Sequence, residues 1–369
     1  MDAISRIETF EARVPLPQPL SVGTAQITHR TYSVVRITTS DGLVGMGYCY
    51  SRGLPISQLI DDVMTPVAIG KDSEAPDAVR KLILGFNWQS GEHGTVTSGL
   101  SAIDIALHDI AGKRAGMNIS KLLGATVNEI PIYSVVGYHY GENEIALEEE
   151  IQYALERGIK SFKIVVGAKD PQRDANRLKT LRTLVGDDAH IAVDAFRTFG
   201  TLENAVQRVN LIKEYGISFV EDPFLESEGK LAIALRDATG VPVSFGESLA
   251  SSKMAEQVID YNQVDVLRID ALVIGGVNEF IKAVNYAHAK GKSYATHIHS
   301  EIHAPLASLT PNLYPGGVEY LDPRYEIDLF HHLLHKPLEI RDGNAIISSE
   351  PGFGIDWNME AVKRFSSRS

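Results

Sequence analysis

Apolar and polar side chains alternate through the first 50 residues, as in "ISRIETFEARV" and "YSVVRITTSDGLVGMGYCY". This period of two is typical of β-strands, and Asp41-Gly42 between two such runs predicts a hairpin turn. From residue 55 the spacing changes to three and four residues, for example in "SGLSAIDIALHDIAGKRAG", which indicates helices. We therefore predict an α+β domain over residues 1–125.

A second pattern begins at residue 130, where short apolar runs recur and amphipathic stretches fill most of the gaps. The eight strand candidates are "IPIYSVVGY", "IKSFKIVVG", "HIAVDAF", "ISFVEDPF", "VPVSFGES", "VDVLRIDA", "SYATHI" and "VEYLD". Near-continuous apolar strands that alternate with helices predict a parallel β/α barrel over residues 126–325, because such a sheet is buried on both faces. An open doubly wound sheet is the alternative, but no Gly-x-Gly-x-x-Gly turn follows an early strand to support its dinucleotide-binding form.

The chain has 369 residues, a net charge of −12 and a pI near 5.5. This acidic balance argues against nucleic acid or an anionic membrane surface as a partner. No run reaches the ~18 apolar residues of a membrane span, and the N-terminus lacks the basic and apolar regions of a signal peptide. The single cysteine, Cys49, excludes an intrachain disulfide and is expected to be buried in "GMGYCYS". Together these features predict a cytoplasmic protein.

Three acidic residues follow consecutive barrel strands: Asp194 in "IAVDAF", Glu221 in "SFVEDPF" and Glu247 in "VSFGESL". Residues just past the carboxyl ends of barrel strands face the active site, so we expect the three carboxylates to converge. Their mutual repulsion would raise their pKa values unless a cation neutralises them. Oxygen ligands without cysteine favour Mg²⁺, with Mn²⁺ possible in its place. Helix capping or pairing with lysine is the alternative for any single one.

The next three strands bring Asp270, His297 and Glu319 to the same rim. An aspartate beside a histidine fixes the imidazole tautomer and raises its basicity. His299 and His303 compete for this role, but the place of His297 on strand seven beside Asp270 on strand six favours His297. A metal on one side and this pair on the other suggest abstraction of a proton next to a carboxylate, because a divalent ion stabilises the resulting dianion.

In motif order and spacing the chain resembles the enolase superfamily, specifically its mandelate racemase subgroup. The motifs are "SAIDIALHDIAGK", "FKIVVG", "VDAF", "VEDP", "GES", "DALVIGGV", "THIHSEIHAPL", "VEYLD" and "PGFGI". The resemblance covers essentially the whole chain and implies a modified TIM-type (β/α)7β barrel over residues 126–325. It also implies that residues 1–125 form an N-terminal α+β capping domain, to which a C-terminal segment of residues 326–369 returns.

The resemblance implies roles by position. The residues that match the Mg²⁺ ligands are Asp194, Glu221 and Glu247. His297 with Asp270 matches the general-base dyad of the subgroup. Glu319 matches the strand-eight acid that hydrogen-bonds the substrate carboxylate as it becomes an enediolate. Lys163 matches the first lysine of a Lys-x-Lys pair, which helps to hold that carboxylate and the metal acids.

Three positions depart from the family pattern: Val165 replaces the second base lysine, Phe196 replaces an asparagine, and Val273 replaces a lysine of mandelate racemase. Such a racemase needs bases on both faces of the substrate, so Val165 disfavours symmetric racemisation. Dehydration needs one base and an acid for the leaving β-hydroxyl, and His297 can serve as both if elimination is syn. We therefore favour dehydration of an aldonate or aldarate to a 2-keto-3-deoxy acid, with a racemase, epimerase or cycloisomerase as the alternative.

The candidates for a second acid or base, in "VVGYHYGEN" at the end of strand one, are Tyr138, His139 and Tyr140. Tyr138 is also a candidate for substrate binding, and Arg197 for binding a distal carboxylate; ordinary packing and a surface position are the alternatives. His29 and Arg30 lie in the cap loop "PLSVGTAQITHRTY", which covers the barrel mouth in the family and sets specificity.

Two hypotheses come from other classes of protein. One is a non-catalytic, metal-dependent binding protein, against which the intact carboxylate triad and the His–Asp pair argue. The other is a Mg²⁺-dependent barrel aldolase without a cap, which the hairpin-plus-helices N-terminus and "PGFGI" disfavour. The expected partner is a small-molecule carboxylate, and a homo-oligomer is expected because acidic barrel enzymes often associate through their outer helices.

Overall fold

The structure of the protein is a computed structural model that describes residues 2–22, 25–86, 89, 91, 93–138 and 144–366. Its N-terminal part contains an antiparallel sheet of three strands in the order β1 (Ile4–Val22), β2 (Ala25–Thr39) and β3 (Val44–Tyr50). The turn between β2 and β3 contains Asp41-Gly42, and Gly42 has the left-handed φ of 87° that glycine adopts without a steric penalty. The predicted hairpin is therefore confirmed.

The helices predicted between residues 55 and 125 are also confirmed. They are α1 (Ile56–Leu59), a π-helical turn (Ile60–Met64), α2 (Thr65–Ala68), α3 (Pro76–Phe86), α4 (Gly94–Ala115) and α5 (Ile119–Leu122). Helix α4 lies directly on β3. A Cβ atom on Gly45 or Gly47 would lie within 2.2 Å and 2.1 Å of carbonyl oxygens of α4, so only glycine permits this close approach. Cys49, on β3, is fully buried as expected.

Eight parallel strands form the barrel, at the eight predicted places. They are β4 (Glu129–Val136), β5 (Ser161–Val165), β6 (His190–Asp194), β7 (Ile217–Glu221), β8 (Val243–Phe245), β9 (Val266–Ile269), β10 (Ser293–Thr296) and β11 (Val318–Tyr320). Consecutive strands pair from β4 to β10, and β11 pairs with β4. Strand β11 also lies beside β10, where the Glu319 N–H donates to Thr296 Oγ1 at 3.2 Å, and this completes the ring.

In the described part of the chain, seven helices alternate with these strands: α6 (Glu144–Glu156), α7 (Pro171–Val185), α8 (Leu202–Ile212), α9 (Gly229–Thr239), α10 (Ser252–Asp260), α11 (Val277–Ala289) and α12 (Ser300–Ala307). Short 3-10 helices follow α8 (Lys213–Tyr215) and precede α9 (Glu226–Glu228). Local sequence sets several starts: the Asp170 side chain accepts from the Gln172 N–H before α7, and Thr201 accepts from the Asn204 N–H before α8. The (β/α)7β fold class is confirmed.

The chain then returns to its N-terminal part. Two 3-10 helices (Pro323–Tyr325 and Phe330–Leu333) are followed by a hairpin of β12 (Ile340–Arg341) and β13 (Asn344–Ile346), and then by α13 (Met359–Phe365). Strand β13 pairs with β4, and α13 packs on β1. The three domain ranges 1–125, 126–325 and 326–369 stay predictions.

Two buried aspartates of α4 join these parts. Asp104 Oδ1 accepts from the Val277 N–H, at the start of α11, at 2.7 Å. Asp109 accepts from the N–H groups of Met46 on β3 and Phe353 in the C-terminal segment, both at 2.9 Å. Helix α4 therefore fixes the cap on the barrel. Among the residues that the structure describes, no helix has the length and apolar character needed to cross a membrane.

Candidate active site

Asp194, Glu221 and Glu247 lie at one rim of the barrel, at the carboxyl ends of β6, β7 and β8. Asp194 and Glu221 are the last residues of their strands and lie opposite each other in the pairing, and both are buried. Glu247 follows β8 by two residues and is partly exposed. No choice of one oxygen from each brings all three within 4.8 Å of one another. The predicted triad therefore shares a rim without forming a closed cage, and each carboxylate has a cationic side chain nearby.

Lys163, from β5, is one of these cations. Its Nζ lies 2.8 Å from Glu221 Oε1, 2.8 Å from Glu319 Oε1 and 3.4 Å from Asp194 Oδ2. Burial and the neighbouring Arg268 would lower the pKa of this ammonium group. The three carboxylates nevertheless raise that pKa well above its usual value. Lys163 is therefore a fixed positive charge and a poor base.

Arg268, from β9, is the second cation, and the sequence analysis missed it. Its Nε lies 2.9 Å from Glu221 Oε1, and its Nη2 donates to Glu319 Oε2. Its Nη1 donates to Tyr133 OH at 3.0 Å and to the Thr296 carbonyl at 2.8 Å. Arg268 could have been found from the alternation of side chains along a strand. It stands two residues before Asp270, so the two side chains point to the same face.

The pKa values of the two glutamates between these cations are shifted in opposite directions. Burial raises the pKa of Glu221 well above its usual value, although Arg268 opposes this shift. Burial would raise the pKa of Glu319 too, but Arg268 and Lys163 lower it to about 2. Glu319 is therefore ionised, and its Oε2 also accepts from the Ile298 N–H at 3.0 Å. Arg268 lines a cavity between this rim and the N-terminal part of the chain, whereas Glu319 is not among the described residues that line it.

His297 and Asp270 form the predicted pair. His297 Nδ1 lies 2.8 Å from Asp270 Oδ2, and its Nε2 lies 3.2 Å from Glu247 Oε2. Burial would raise the pKa of Asp270, but its hydrogen bond with His297 and the neighbouring His303 lower it well below its usual value. Asp270 thus stays ionised and accepts a hydrogen bond from the Nδ1–H of His297. This leaves Nε2 as the nitrogen that can accept a proton.

The two competing histidines have other surroundings. His303 Nδ1 lies 2.6 Å from the Ile298 carbonyl, and its Nε2 accepts from the Ala271 N–H at 2.9 Å, so both nitrogens are engaged by the backbone. Burial lowers the pKa of His299 to about 4. His297 is found among the described residues that line the cavity, and these two are not.

Arg197 lies at the cavity but is already paired with acids. Its Nη2 lies 2.7 Å from Asp222 Oδ2 and 3.2 Å from Glu247 Oε1. Burial would raise the pKa of Glu247, but His297, Arg52 and Arg197 lower it below its usual range. A substrate carboxylate would have to share Arg197 with these two acids. The charge of Arg197 is therefore already compensated, which disfavours its predicted role as a substrate ligand.

Val165 lies on β5, three strands away around the barrel from β10, which precedes His297, and its neighbours are apolar or aromatic. Val165 is fully buried, and Tyr138 and Phe196 pack against the cluster inside the barrel that contains it. Burial raises the pKa of Tyr138, so its phenol stays protonated and is a possible acid rather than a base. His139 and Tyr140, the other candidates at this position, lie outside the described residues.

A cavity of about 480 Å³ lies between this rim and the cap. The cap contributes His29, Arg30, Tyr50 and Arg52 to its lining. Arg30 is held in place, because its Nε donates to the Ile327 carbonyl at 2.7 Å and its Nη1 donates to Tyr50 OH at 2.6 Å. The cap thus places three arginines, Arg13, Arg30 and Arg52, at a cavity of the size that holds small ligands.

The ligand chemistry of these residues fits a magnesium ion, although the three carboxylates do not form a closed cage in this structure. Asp194, Glu221 and Glu247 supply hard oxygen ligands from three neighbouring strands, the type of ligand Mg²⁺ prefers. Glu221 Oε2 is buried without a hydrogen-bond partner, while Oε1 keeps the contacts with Lys163 and Arg268. An orphaned carboxylate oxygen at this position is available to a cation.

Comparisons with known proteins agree with this architecture. The family model described as mandelate racemase / muconate lactonizing enzyme, N-terminal domain, matches residues 5–124, and the model described as enolase C-terminal domain-like matches residues 146–362. The chain is 29% identical to the arabinonate dehydratase of Saccharolobus solfataricus, over 90% of each chain. It is 26% identical to the D-galactarolactone cycloisomerase of Agrobacterium fabrum, over 98% of each. The crystal structure of L-talarate dehydratase from Polaromonas sp. JS666, complexed with Mg and L-glucarate, superposes with a TM-score of 0.90 at 25% identity and covers 100% of this chain and 98% of that one.

Proposed function

Because the chain belongs to the mandelate racemase / muconate lactonizing enzyme family of the enolase superfamily, we propose that it is a Mg²⁺-dependent acid-sugar dehydratase. It would convert an aldonate or aldarate to a 2-keto-3-deoxy acid and so be a hydro-lyase. The observation that carries this proposal is the one-sided placement of the base. His297 reaches the cavity from β10, whereas buried Val165 stands at the position of the second base.

Asp194, Glu221 and Glu247 would hold Mg²⁺, a cofactor also present in the solved L-talarate dehydratase. When bound, the ion supplies positive charge that stabilises negative charge on the substrate carboxylate. This chain adds charge of its own at the same place. Arg268 faces the cavity, and Lys163 fixes its two glutamate partners behind it. We assign to Arg268 the contact with the substrate carboxylate, and to Glu319 and Lys163 the positioning of Arg268.

His297 would take the C2 proton on Nε2 while it keeps its Nδ1 proton, which is hydrogen-bonded to Asp270. The C2–H electron pair first forms the enediolate of the carboxylate and then the C2=C3 bond, as the C3–O bond breaks. The imidazolium returns its proton to the departing hydroxyl, which leaves as water, and the enol tautomerises to the 2-keto acid. General base catalysis of this kind contributes roughly 10²–10⁴-fold.

Arg30 favours a substrate with a second carboxylate. It lines the cavity from the cap side, and its guanidinium is oriented by Ile327 and Tyr50. An oriented guanidinium recognises a carboxylate by charge-assisted hydrogen bonds. We therefore propose an aldarate as the preferred substrate and an aldonate as the weaker one.

A racemase, epimerase or cycloisomerase is the second candidate, and the similarity to a cycloisomerase supports it. Proton transfer on both faces would need a second base in place of Val165. Lys163 is a poor base because its carboxylate partners raise its pKa, and burial keeps the Tyr138 phenol protonated. These two observations favour the dehydratase.

The decisive experiment is incubation of the Mg²⁺-loaded enzyme with a panel of aldonates and aldarates in D₂O, followed by NMR and a 2-keto acid assay. The proposal predicts one 2-keto-3-deoxy product from at least one acid sugar. Exchange and inversion at C2 of a simple 2-hydroxy acid, without any dehydration, would replace it by the isomerase. Binding without exchange or turnover would indicate the non-catalytic binding protein.

His297→Asn is the companion variant, because asparagine keeps a polar group near Asp270 but cannot take the proton. We expect turnover to be lost while Mg²⁺ binding, measured by calorimetry, is retained. Activity within about tenfold of the wild type would place the base elsewhere. We also propose that the enzyme acts on small molecules in the cytoplasm as a homo-oligomer, without nucleic acid or membrane partners; its acidic composition supports the latter.

A further inference from the structure

A cluster of two histidines and one glutamate lies in the C-terminal segment, away from the carboxylate triad. Its members are Glu326, just after one 3-10 helix, and His331 and His332, in the next one. His332 Nε2 lies 2.7 Å from Glu326 Oε2, and His331 Nε2 lies 3.3 Å from Glu326 Oε1. One ligand atom from each side chain falls within 4.8 Å of the other two. All three side chains are partly exposed and can be reached from solvent.

Both ring nitrogens of His331 lie beside hydrogen-bond acceptors. Its Nδ1 lies 3.1 Å from the Asp328 carbonyl, and its Nε2 lies 3.3 Å from a carboxylate oxygen of Glu326. Both partners are acceptors, but a neutral imidazole has only one N–H. A cation between Nε2 and Glu326 resolves this conflict. An Nδ1–H held by a backbone carbonyl is also the arrangement that orients metal-binding histidines.

The remaining features of the cluster favour a metal ion over a side-chain cation. Among the described residues, no lysine or arginine forms an ion pair with Glu326. The rings of His331 and His332 lie side by side, tilted by 36° with centroids 4.2 Å apart, and their Nε2 atoms approach the same carboxylate. Two imidazoles and one carboxylate are a ligand set typical of Zn²⁺ and similar transition ions, whereas Mg²⁺ prefers oxygen ligands.

We propose that Glu326, His331 and His332 bind a divalent transition-metal ion of the Zn²⁺ class, at a site separate from the Mg²⁺ centre. The ion joins both ends of the turn of residues 326–332. The middle of that turn holds the cap, since the Ile327 carbonyl accepts from Arg30 and the Asp328 carboxylate accepts from Tyr32. Asp328 also lines the cavity, so the ion would fix part of the cavity wall.

The test is calorimetric titration of the full, chelator-stripped chain with Zn²⁺ in buffer saturated with Mg²⁺, so that the carboxylate triad is already occupied. We expect one equivalent of Zn²⁺ to bind. Glu326→Gln and His332→Gln should each weaken binding tenfold or more. His335→Gln is the matched control, because His335 is a neighbouring exposed histidine outside the cluster, and it should bind Zn²⁺ like the wild type.

Co²⁺ gives a second readout, because visible absorption bands report nitrogen and oxygen ligation without any contribution from buried Cys49. These bands should appear in the wild type and His335→Gln, and not in the other two variants. Absence of Zn²⁺ binding in the wild type, or equal binding in all variants, would overturn the proposal and leave a proton as the cation at His331. Circular dichroism checks folding, and if one ligand variant unfolds, the other decides.

Discussion

Replacement of Arg268 by methionine tests whether this guanidinium neutralises the acids under the cavity. Arg268 is almost fully buried and contacts Glu221 and Glu319, both also buried. Methionine has a similar length but no charge, so the variant leaves the two carboxylates with Lys163 as their remaining cation in this cluster. Removing one partner of a buried ion pair typically destabilises a protein by about 3–5 kcal/mol, because a charge stays buried without compensation.

This loss can be expressed as a change in melting temperature. An unfolding entropy of about 2.1 cal/mol/K per residue gives about 0.8 kcal/mol/K for 369 residues, so we expect the Tm to fall by about 4–6 °C. Added Mg²⁺ would provide positive charge near the same carboxylates. The Tm gain on adding Mg²⁺ should therefore be larger in Arg268→Met than in the wild type.

The assay is differential scanning fluorimetry in EDTA and in Mg²⁺, with Arg268→Lys as the control that keeps the charge but loses the planar fork. We expect the lysine variant to fall between the wild type and the methionine variant. A Tm for Arg268→Met within 1 °C of the wild type in EDTA, or an identical Mg²⁺ increment, would refute the neutralising role.

Three further predictions concern specificity, the second base and pH. Arg30→Met should lower kcat/KM for aldarates by about 10–100-fold, because one charged hydrogen bond is lost, and should leave kcat/KM for aldonates within threefold of the wild type. Arg13→Met, which changes another arginine that lines the cavity, is the control. Equal losses on both substrates, or the same pattern in the control, would contradict the prediction. Val165→Lys should introduce C2 proton exchange on the face opposite His297, which NMR in D₂O would detect and which should be absent in Val165→Met. Unchanged stereochemistry of exchange would count against the hypothesis that Val165 removes the base on that face. Burial lowers the pKa of His299 to about 4 from 6.5, so it contributes stability that is present above pH 6.5 and lost as the pH falls towards 4. His299→Asn, which suits the φ of 51°, should flatten the fall in Tm over that window, and parallel Tm–pH curves would show another group to be responsible.

The elements most visible in the sequence were those that repeat or that depend on local chemistry. The barrel strands are near-continuous apolar runs, and Asp41-Gly42 lies between two long alternating strands, so both could be predicted. The same dipeptide signal stands at Asp342-Gly343, but its strands β12 and β13 have only two and three residues. Alternation cannot show itself over so short a length, and that hairpin was missed.

The site was predictable as far as strand order determines it. The positions of strand ends predicted the acids and His297. They did not predict which ion pairs and hydrogen bonds these side chains form when they are buried. Arg268 pairs with Glu221 and Glu319, and Arg197 pairs with Asp222 and Glu247, because a charge that is wholly or partly removed from water is stabilised by a partner of opposite charge. The contribution of Arg52 depends on how the cap lies over the barrel, which no local pattern encodes.

The packing of α13 on β1 has a consequence for how the protein is made. Ala12 of β1 forms a bridge with Ser366, so β1 cannot complete its packing until residues about 350 positions further along the chain have been synthesised. At about 5–20 residues per second, synthesis of the 369 residues takes about 20–70 s. During this time the edge of β1 that α13 covers is open to chaperones or to another nascent chain. This part of the packing is therefore completed late, and slower translation would lengthen the period of exposure.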